Sequence, residues 1–257
     1  MAFDTFLAVL KEHDLIPPSA LAIMVTGSTA RGWDHANSDI DLFVVSTDPM
    51  VDERVLSAPV PLEPKTLGVH AFEHGGRRWE IKYWLDSQVS QLFDKVSRDQ
   101  FDAERMTGIR LTVTEEFFLG RLGTSVALDD GEWHRRRCAE LDDSAFRSFM
   151  TMAALNRADS GVNAALGQLA AGEHDAAALT VRDAFAGSVE ALLNSVGEYS
   201  VGVKWRCRRF REARQDLLSY ERYWAIETMR DYTPGTTRAW VEEVAGLCKE
   251  LSMDIEI

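Results

Sequence analysis

Val25-Thr26-Gly27-Ser28-Thr29-Ala30-Arg31-Gly32 is followed, after a polar turn, by Asn37-Ser38-Asp39-Ile40-Asp41-Leu42-Phe43-Val44-Val45. In the second segment Ile40, Leu42 and Val44 alternate with Asp39, Asp41 and Phe43. A period of two predicts a strand that carries Asp39 and Asp41 on one face. Two carboxylates held ~4 Å apart repel by about 4 kcal/mol at an effective dielectric near 20, unless a cation stands between them. A divalent metal is the usual answer. Mg²⁺ takes one or two carboxylates and completes its shell with the phosphates of a bound nucleotide, so the pair is half of a site. The first segment supplies a place for the phosphates. The apolar run Leu21 to Val25 predicts a strand ending at Thr26-Gly27-Ser28, where a glycine lets the backbone approach a phosphate and a serine adds a hydroxyl. A helix beginning near Ser28 would aim its free N–H groups at the same anion.

An apolar residue, Gly27-Ser28, ten residues from Thr29 to Ser38, and then Asp39-Ile40-Asp41 on an apolar strand resembles the DNA polymerase beta-like nucleotidyltransferase superfamily. The fuller strings Gly-Ser-x-Ala-Arg-Gly and Ser-Asp-Ile-Asp-Leu look like its small bacterial members: the aminoglycoside nucleotidyltransferases and the minimal nucleotidyltransferases paired with helical toxins. The motif covers Ala22 to Ser46, and the similarity thins after about Leu85. The resemblance implies a third carboxylate on a later strand. Glu80 is carried over to that role as the only acid inside the run Arg78 to Leu85, with Asp86 as the fallback. With two Mg²⁺ ions about 3.5–4 Å apart, such a group holds the metal that activates the attacking hydroxyl, or takes its proton. The bland alternative for Glu80 is a surface ion pair with Lys82 or Arg78.

Length and composition fit this reading. The 257 residues are 46% hydrophobic and 27% charged, ordinary for a soluble protein with ample chain for a core. No apolar run approaches ~18 residues, so no membrane span is expected. Met1-Ala2-Phe3-Asp4 lacks the basic and apolar regions of a secretory leader. Cys138, Cys207 and Cys248 are too far apart for a metal spacing, and a reduced cytoplasm is the expected setting. Net charge is −13, from 28 basic and 41 acidic residues. A binder of extended nucleic acid carries a basic face, so this chain is a poor candidate for one. Its acidity suits a cationic acceptor such as an aminoglycoside.

Along the chain, Phe3 to Leu15 has helical spacing, ended by Pro17-Pro18. A short helix is expected from Thr29 to about Trp33. Arg31 has two readings, a phosphate ligand or a brace for Asp34 or Asp39. Thr47 to Pro64 reads as a loop with a short helix around Val55-Leu56. Leu67 to Phe72 and Arg78 to Leu85, separated by Gly75-Gly76, form a hairpin signature. Val89 to Val96 is helical, and Gln100 to Arg110 is polar enough for a linker. Helical spacing then runs over 115–122, 132–141, 146–169, 176–196, 206–220 and 237–251, with alanine pairs that suggest closely spaced helices. Arg135-Arg136-Arg137 reads as a solvated face.

Lys204-Trp205-Arg206-Cys207-Arg208-Arg209-Phe210-Arg211 is the one concentrated basic patch. By resemblance to enzymes whose helical domain sends a lysine to the β and γ phosphates, Lys204 and Arg208 are the candidates. The alternative is a helix whose basic face pairs with neighbouring acids. Glu115, Glu116, Glu190 and Glu198 are candidates for an acceptor pocket or a base.

The expected fold is α+β: an N-terminal mixed β-sheet nucleotidyltransferase domain with flanking helices over 1–100, then a C-terminal all-helical bundle over 111–257 that closes over the nucleotide. The expected chemistry is Mg²⁺-dependent transfer of a nucleoside monophosphate, with ATP the leading donor, to a hydroxyl of a small molecule. Asp39, Asp41 and Glu80 are the expected catalytic and metal-binding residues. Gly27, Ser28, Arg31, Ser38, Lys204 and Arg208 are the expected nucleotide contacts. Two rivals stand beside it, nucleotidylation of a protein or tRNA end and a degenerate nucleotide-binding module.

Overall fold

The alternation at 39–45 is realised as one of the central strands of a six-stranded sheet. A computed structural model describes residues 4–104, 111–200 and 202–257, and the chain divides into two compact units, Met1–Phe146 and Arg147–Ile257. The first unit runs α1 (Asp4–Glu12), β1 (Ala20–Thr26), α2 (Gly27–Ala30), β2 (Ile40–Ser46), β3 (Leu56–Pro59), β4 (Thr66–His74) and β5 (Arg77–Leu85). It continues with α3 (Asp86–Lys95), α4 (Arg98–Glu104), α5 (Val113–Leu122), β6 (Val126–Ala127) and α6 (Glu132–Asp143). Strand order is β3-β4-β5-β2-β1-β6. The β2–β5 pair is parallel and the other pairs are antiparallel, so the sheet is mixed.

Period-two patterning decides which helix covers which face. Ile23 and Val25 of β1, Ile40, Leu42 and Val44 of β2, and Trp79, Ile81 and Tyr83 of β5 form one buried cluster with Phe6, Val9 and Leu10 of α1. On the opposite face Phe43 and Trp84 meet Phe118 of α5, with ring centroids 5.2 and 4.6 Å apart. Asp41, Glu80 and Lys82 share the parity of Phe43 and Trp84, so they project on the α5 side. The turn between β4 and β5 is Gly75-Gly76 with φ of 61° and 74°, the left-handed pair that a two-residue hairpin needs.

The structure departs from the sequence expectations in several places. Residues 56–59 form no helix; they pair with β4 as a four-residue edge strand. The polar stretch from Gln100 begins inside α4, and its remainder at 105–110 lies outside the described residues. The break between units falls after Phe146, because β6 joins the sheet beside β1 and α5 packs on that sheet. Arg137 is not on a solvated face. It is buried, donating to Asp86 and Glu140 at 2.8 Å, while Arg135 and Arg136 are exposed.

The second unit holds α7 (Phe146–Ala170), α8 (His174–Ser195), α9 (Arg206–Glu212), α10 (Tyr220–Glu227) and α11 (Thr237–Asp254). Residues 184–194 of α8 are buried on every side, which makes it the central helix. Small residues allow that burial: a Cβ on Gly161 would stand 2.9 Å from Ala184, so α7 and α8 touch nearly backbone to backbone. The helix expected over 206–220 is two, because the chain turns at 213–219 and Ser219 caps the second. Among the described residues no helix is long and apolar enough to cross a membrane.

Candidate active site

Asp41 is the centre of the candidate site. Its register partners are Thr26 on β1 and Glu80 on β5, so Asp41 and Glu80 stand side by side on the α5 face. Gly27 follows Thr26 with φ +67°, and a Cβ there would lie 2.7 Å from Asp41 Oδ2. Glycine is required twice over, by the left-handed backbone and by the carboxylate packed on its Cα. Ser28 follows in α2 at half burial. That helix is only four residues long. Asp39 sits immediately before β2 and is exposed.

Each strand carboxylate has a cationic side chain of the protein beside it. Arg121, in the last turn of α5, donates Nη1 to Asp41 Oδ2 at 3.1 Å. Lys82 Nζ lies 2.8 Å from Glu80 Oε1, and Arg78 Nη2 is 3.6 Å from Oε2. The hydrogen bond from Lys82 holds the Glu80 carboxyl below its ordinary range, against burial, with further help from the charges of Lys82, Arg78 and Arg121. The surface pairing weighed for Glu80 is thus present, and so is its alignment with Asp41.

The other expected residues sit as follows. Ser38 is buried; its Oγ accepts from His35 N at 3.0 Å, closing the turn before β2, and its carbonyl accepts from Arg77 Nε at 3.0 Å. The brace for Asp34 is Arg77, at 3.0 Å. Arg31 instead lies over the Trp33 ring, 3.8 Å from its centroid, and lines a cavity of about 440 Å³ with Arg77, Thr29 and Phe6. Asp86 is held by Arg137 at 2.8 Å and by the Trp133 indole at 2.7 Å. Glu115 is fully buried as the capping-box acid of α5, bonded to Thr112 and Lys95.

Lys204 and Arg208 belong to the second unit, where Lys204 sits near the Trp205 ring and Arg208 pairs with Glu212. The basic run around them is mainly internal wiring. Arg206 and Arg209 are buried and both bind Glu190, at 2.6 and 2.7 Å, and Arg206 also reaches Glu227.

Among the described residues no three His, Cys, Asp or Glu side chains gather closely enough to hold an ion. The donors present are hard carboxylate oxygens beside a glycine turn. That set suits Mg²⁺ when nucleotide phosphates supply the remaining ligands. Arg121 is the residue that sequence reasoning missed. It is the only basic residue of α5, but nothing in the sequence links it to a carboxylate 80 positions away.

The mixed sheet thus carries an acid pair in register beside a glycine turn. Residues 5–117 match the family described as nucleotidyltransferase domain. No curated protein matches the chain. Among solved structures it is similar to a nucleotidyltransferase-like protein from Exiguobacterium sibiricum 255-15, at 14% identity and a TM-score of 0.49, covering 98% of this chain and 75% of that one.

Proposed function

We propose that the protein is a Mg²⁺-dependent nucleotidyltransferase that moves a nucleoside monophosphate, AMP by this reading, onto a hydroxyl of a small cationic molecule such as an aminoglycoside, releasing pyrophosphate. The observation that carries the reading is Asp41, flanked in register by Glu80 and packed against Gly27. In this reading Asp39 and Asp41 hold the metal, Glu80 completes its carboxylate set, and the Gly27–Ser28 turn admits the phosphates. Bound there, Mg²⁺ supplies neutralisation and polarisation of the triphosphate.

The protein's own contribution is positioning and charge, as phosphoryl-type transfer requires. Glu80 is held as a carboxylate by its hydrogen bond from Lys82. Its part is to ligate and orient, or to take the proton of the attacking hydroxyl. Lys82, Arg78 and Arg121 ring the two acids and offset negative charge that builds on the leaving pyrophosphate. The excess of acids, net −13, supports a cationic acceptor.

The test incubates the protein with Mg²⁺, each common ribonucleoside triphosphate and a panel of aminoglycosides, and reads products by mass spectrometry. One acceptor heavier by one nucleotidyl group is the expected result. Label appearing on protein or tRNA, with the panel unchanged, would move the acceptor to a macromolecule.

A further inference from the structure

We propose that Arg121 is a two-position phosphate clamp: it holds Asp41 while no nucleotide is bound, and moves to the triphosphate when Asp41 takes up its metal. The proposal rests on the nucleotidyltransferase reading above and adds to it a residue on α5, beyond the Gly-Ser and Asp-x-Asp segments.

Three observations carry it. First, Arg121 Nη1 donates to Asp41 Oδ2, the oxygen nearest to Gly27. A divalent cation bound at that same oxygen repels a guanidinium 3.1 Å away and weakens its hold. In the clamp, Asp41 gives up Arg121 when Oδ2 takes the metal. Second, the guanidinium already lies along the turn proposed to admit phosphate. Its Nη1 and Cζ are 3.6 and 3.7 Å from the point that a Gly27 Cβ would occupy. A small rotation then exchanges a carboxylate oxygen for a phosphate oxygen. Third, the side chain is equipped for the exchange. It rests on the Phe117 ring, 4.7 Å from its centroid, it is 27% exposed, and among the described residues Asp41 is its one hydrogen-bond acceptor. Guanidinium carries five N–H donors in a planar fork that matches phosphate, so the second position offers more bonds than the first. Helix α5 is anchored by buried Phe118, Leu119 and Leu122, which do not depend on Arg121.

The clamp predicts opposite effects on two affinities. Removing Arg121 frees Asp41 of a competing cation, so the nucleotide-free protein binds Mn²⁺ more tightly. The same change removes a phosphate ligand, so Mg²⁺-nucleotide binds more weakly. The experiment measures Mn²⁺ binding by electron paramagnetic resonance, and calorimetric binding of Mg²⁺ with α,β-methylene-ATP, for wild type, Arg121→Ala and Arg121→Lys. The expected outcome for Arg121→Ala is about fivefold tighter Mn²⁺ and about tenfold weaker nucleotide. Arg121→Lys keeps the charge without the fork, and is expected to fall between wild type and Arg121→Ala in both. A purely structural role would lower the melting temperature and weaken both affinities together. Unchanged or weaker Mn²⁺ binding in both variants, with native circular dichroism, overturns the clamp alone, provided that wild type binds both probes. A wild type that binds neither probe overturns the nucleotidyltransferase reading and the clamp with it.

Discussion

Asp41 and Glu80 are register partners on adjacent parallel strands, on the sheet face that α5 covers. If that alignment serves a common site, Glu80→Gln lowers turnover by about 10²-fold or more. It leaves stability within about 1 kcal/mol, because the ion pairs it disturbs are partly solvated. Steady-state rates beside thermal melts decide this. A fall below about threefold would return Glu80 to a surface pairing with Lys82 and Arg78.

Gly27 and Gly32 share nearly the same left-handed φ, +67° and +66°, but differ in surroundings. A Cβ on Gly32 meets nothing within 4 Å, whereas one on Gly27 meets the Asp41 carboxylate. Gly32→Ala is expected to cost about 1 kcal/mol, the backbone cost alone. Gly27→Ala is expected to cost more and also to weaken Mg²⁺-nucleotide binding, since the carboxylate must move. Equal melting temperatures and equal affinities for the two variants would contradict the close approach.

Stability should fall in acid through Asp86. Burial raises its pKa, but the hydrogen bonds from Arg137 and Trp133 outweigh burial and leave it below the ordinary 3.8. A depressed folded pKa stabilises above the unfolded value, and that contribution is lost as pH falls through the folded one. Asp86→Asn is therefore expected to melt earlier at neutral pH and to converge on wild type as pH falls below the ordinary carboxylate range. Asp86→Ala, which leaves buried Arg137 with Glu140 and the Ser90 hydroxyl, costs about 3 kcal/mol. Parallel melting curves for Asp86→Asn and wild type across the range would refute the assignment.

Glu190 is buried in the middle of α8 between Arg206 and Arg209. Removing one partner of a buried ion network leaves charges uncompensated, so Glu190→Ala is expected to destabilise the second unit by about 3–5 kcal/mol. Chemical denaturation measures this. A variant of unchanged stability with lost acceptor turnover would instead place Glu190 at the acceptor.

The sheet was legible where its signals were local. The alternation of Ile40, Leu42 and Val44 announced β2, and Gly75-Gly76 announced the β4–β5 hairpin. Edge strand β3 was not legible, since its four residues are too few for periodicity and their pairing is set by β4. Helix spacing ran through 206–220 because the turn at 213–219 leaves the apolar residues in phase. The candidate site divides in the same way. Gly27 and Asp41 are fifteen or fewer positions apart and carry a motif, so their meeting could be read. The Arg121–Asp41 contact spans 80 positions and depends on how α5 lies on the sheet. The pairing of Arg206 and Arg209 with Glu190 is likewise a product of tertiary packing, invisible in a run of basic residues.

The most direct test of the central claim is Mg²⁺-dependent release of pyrophosphate, measured for wild type and Asp41→Asn with each nucleoside triphosphate and the acceptor panel. The account predicts acceptor-dependent release from one preferred triphosphate by the wild type. It predicts none above background from Asp41→Asn, whose melting temperature stays close to wild type. Release that survives in Asp41→Asn would contradict the placing of Asp41 at the centre of the site.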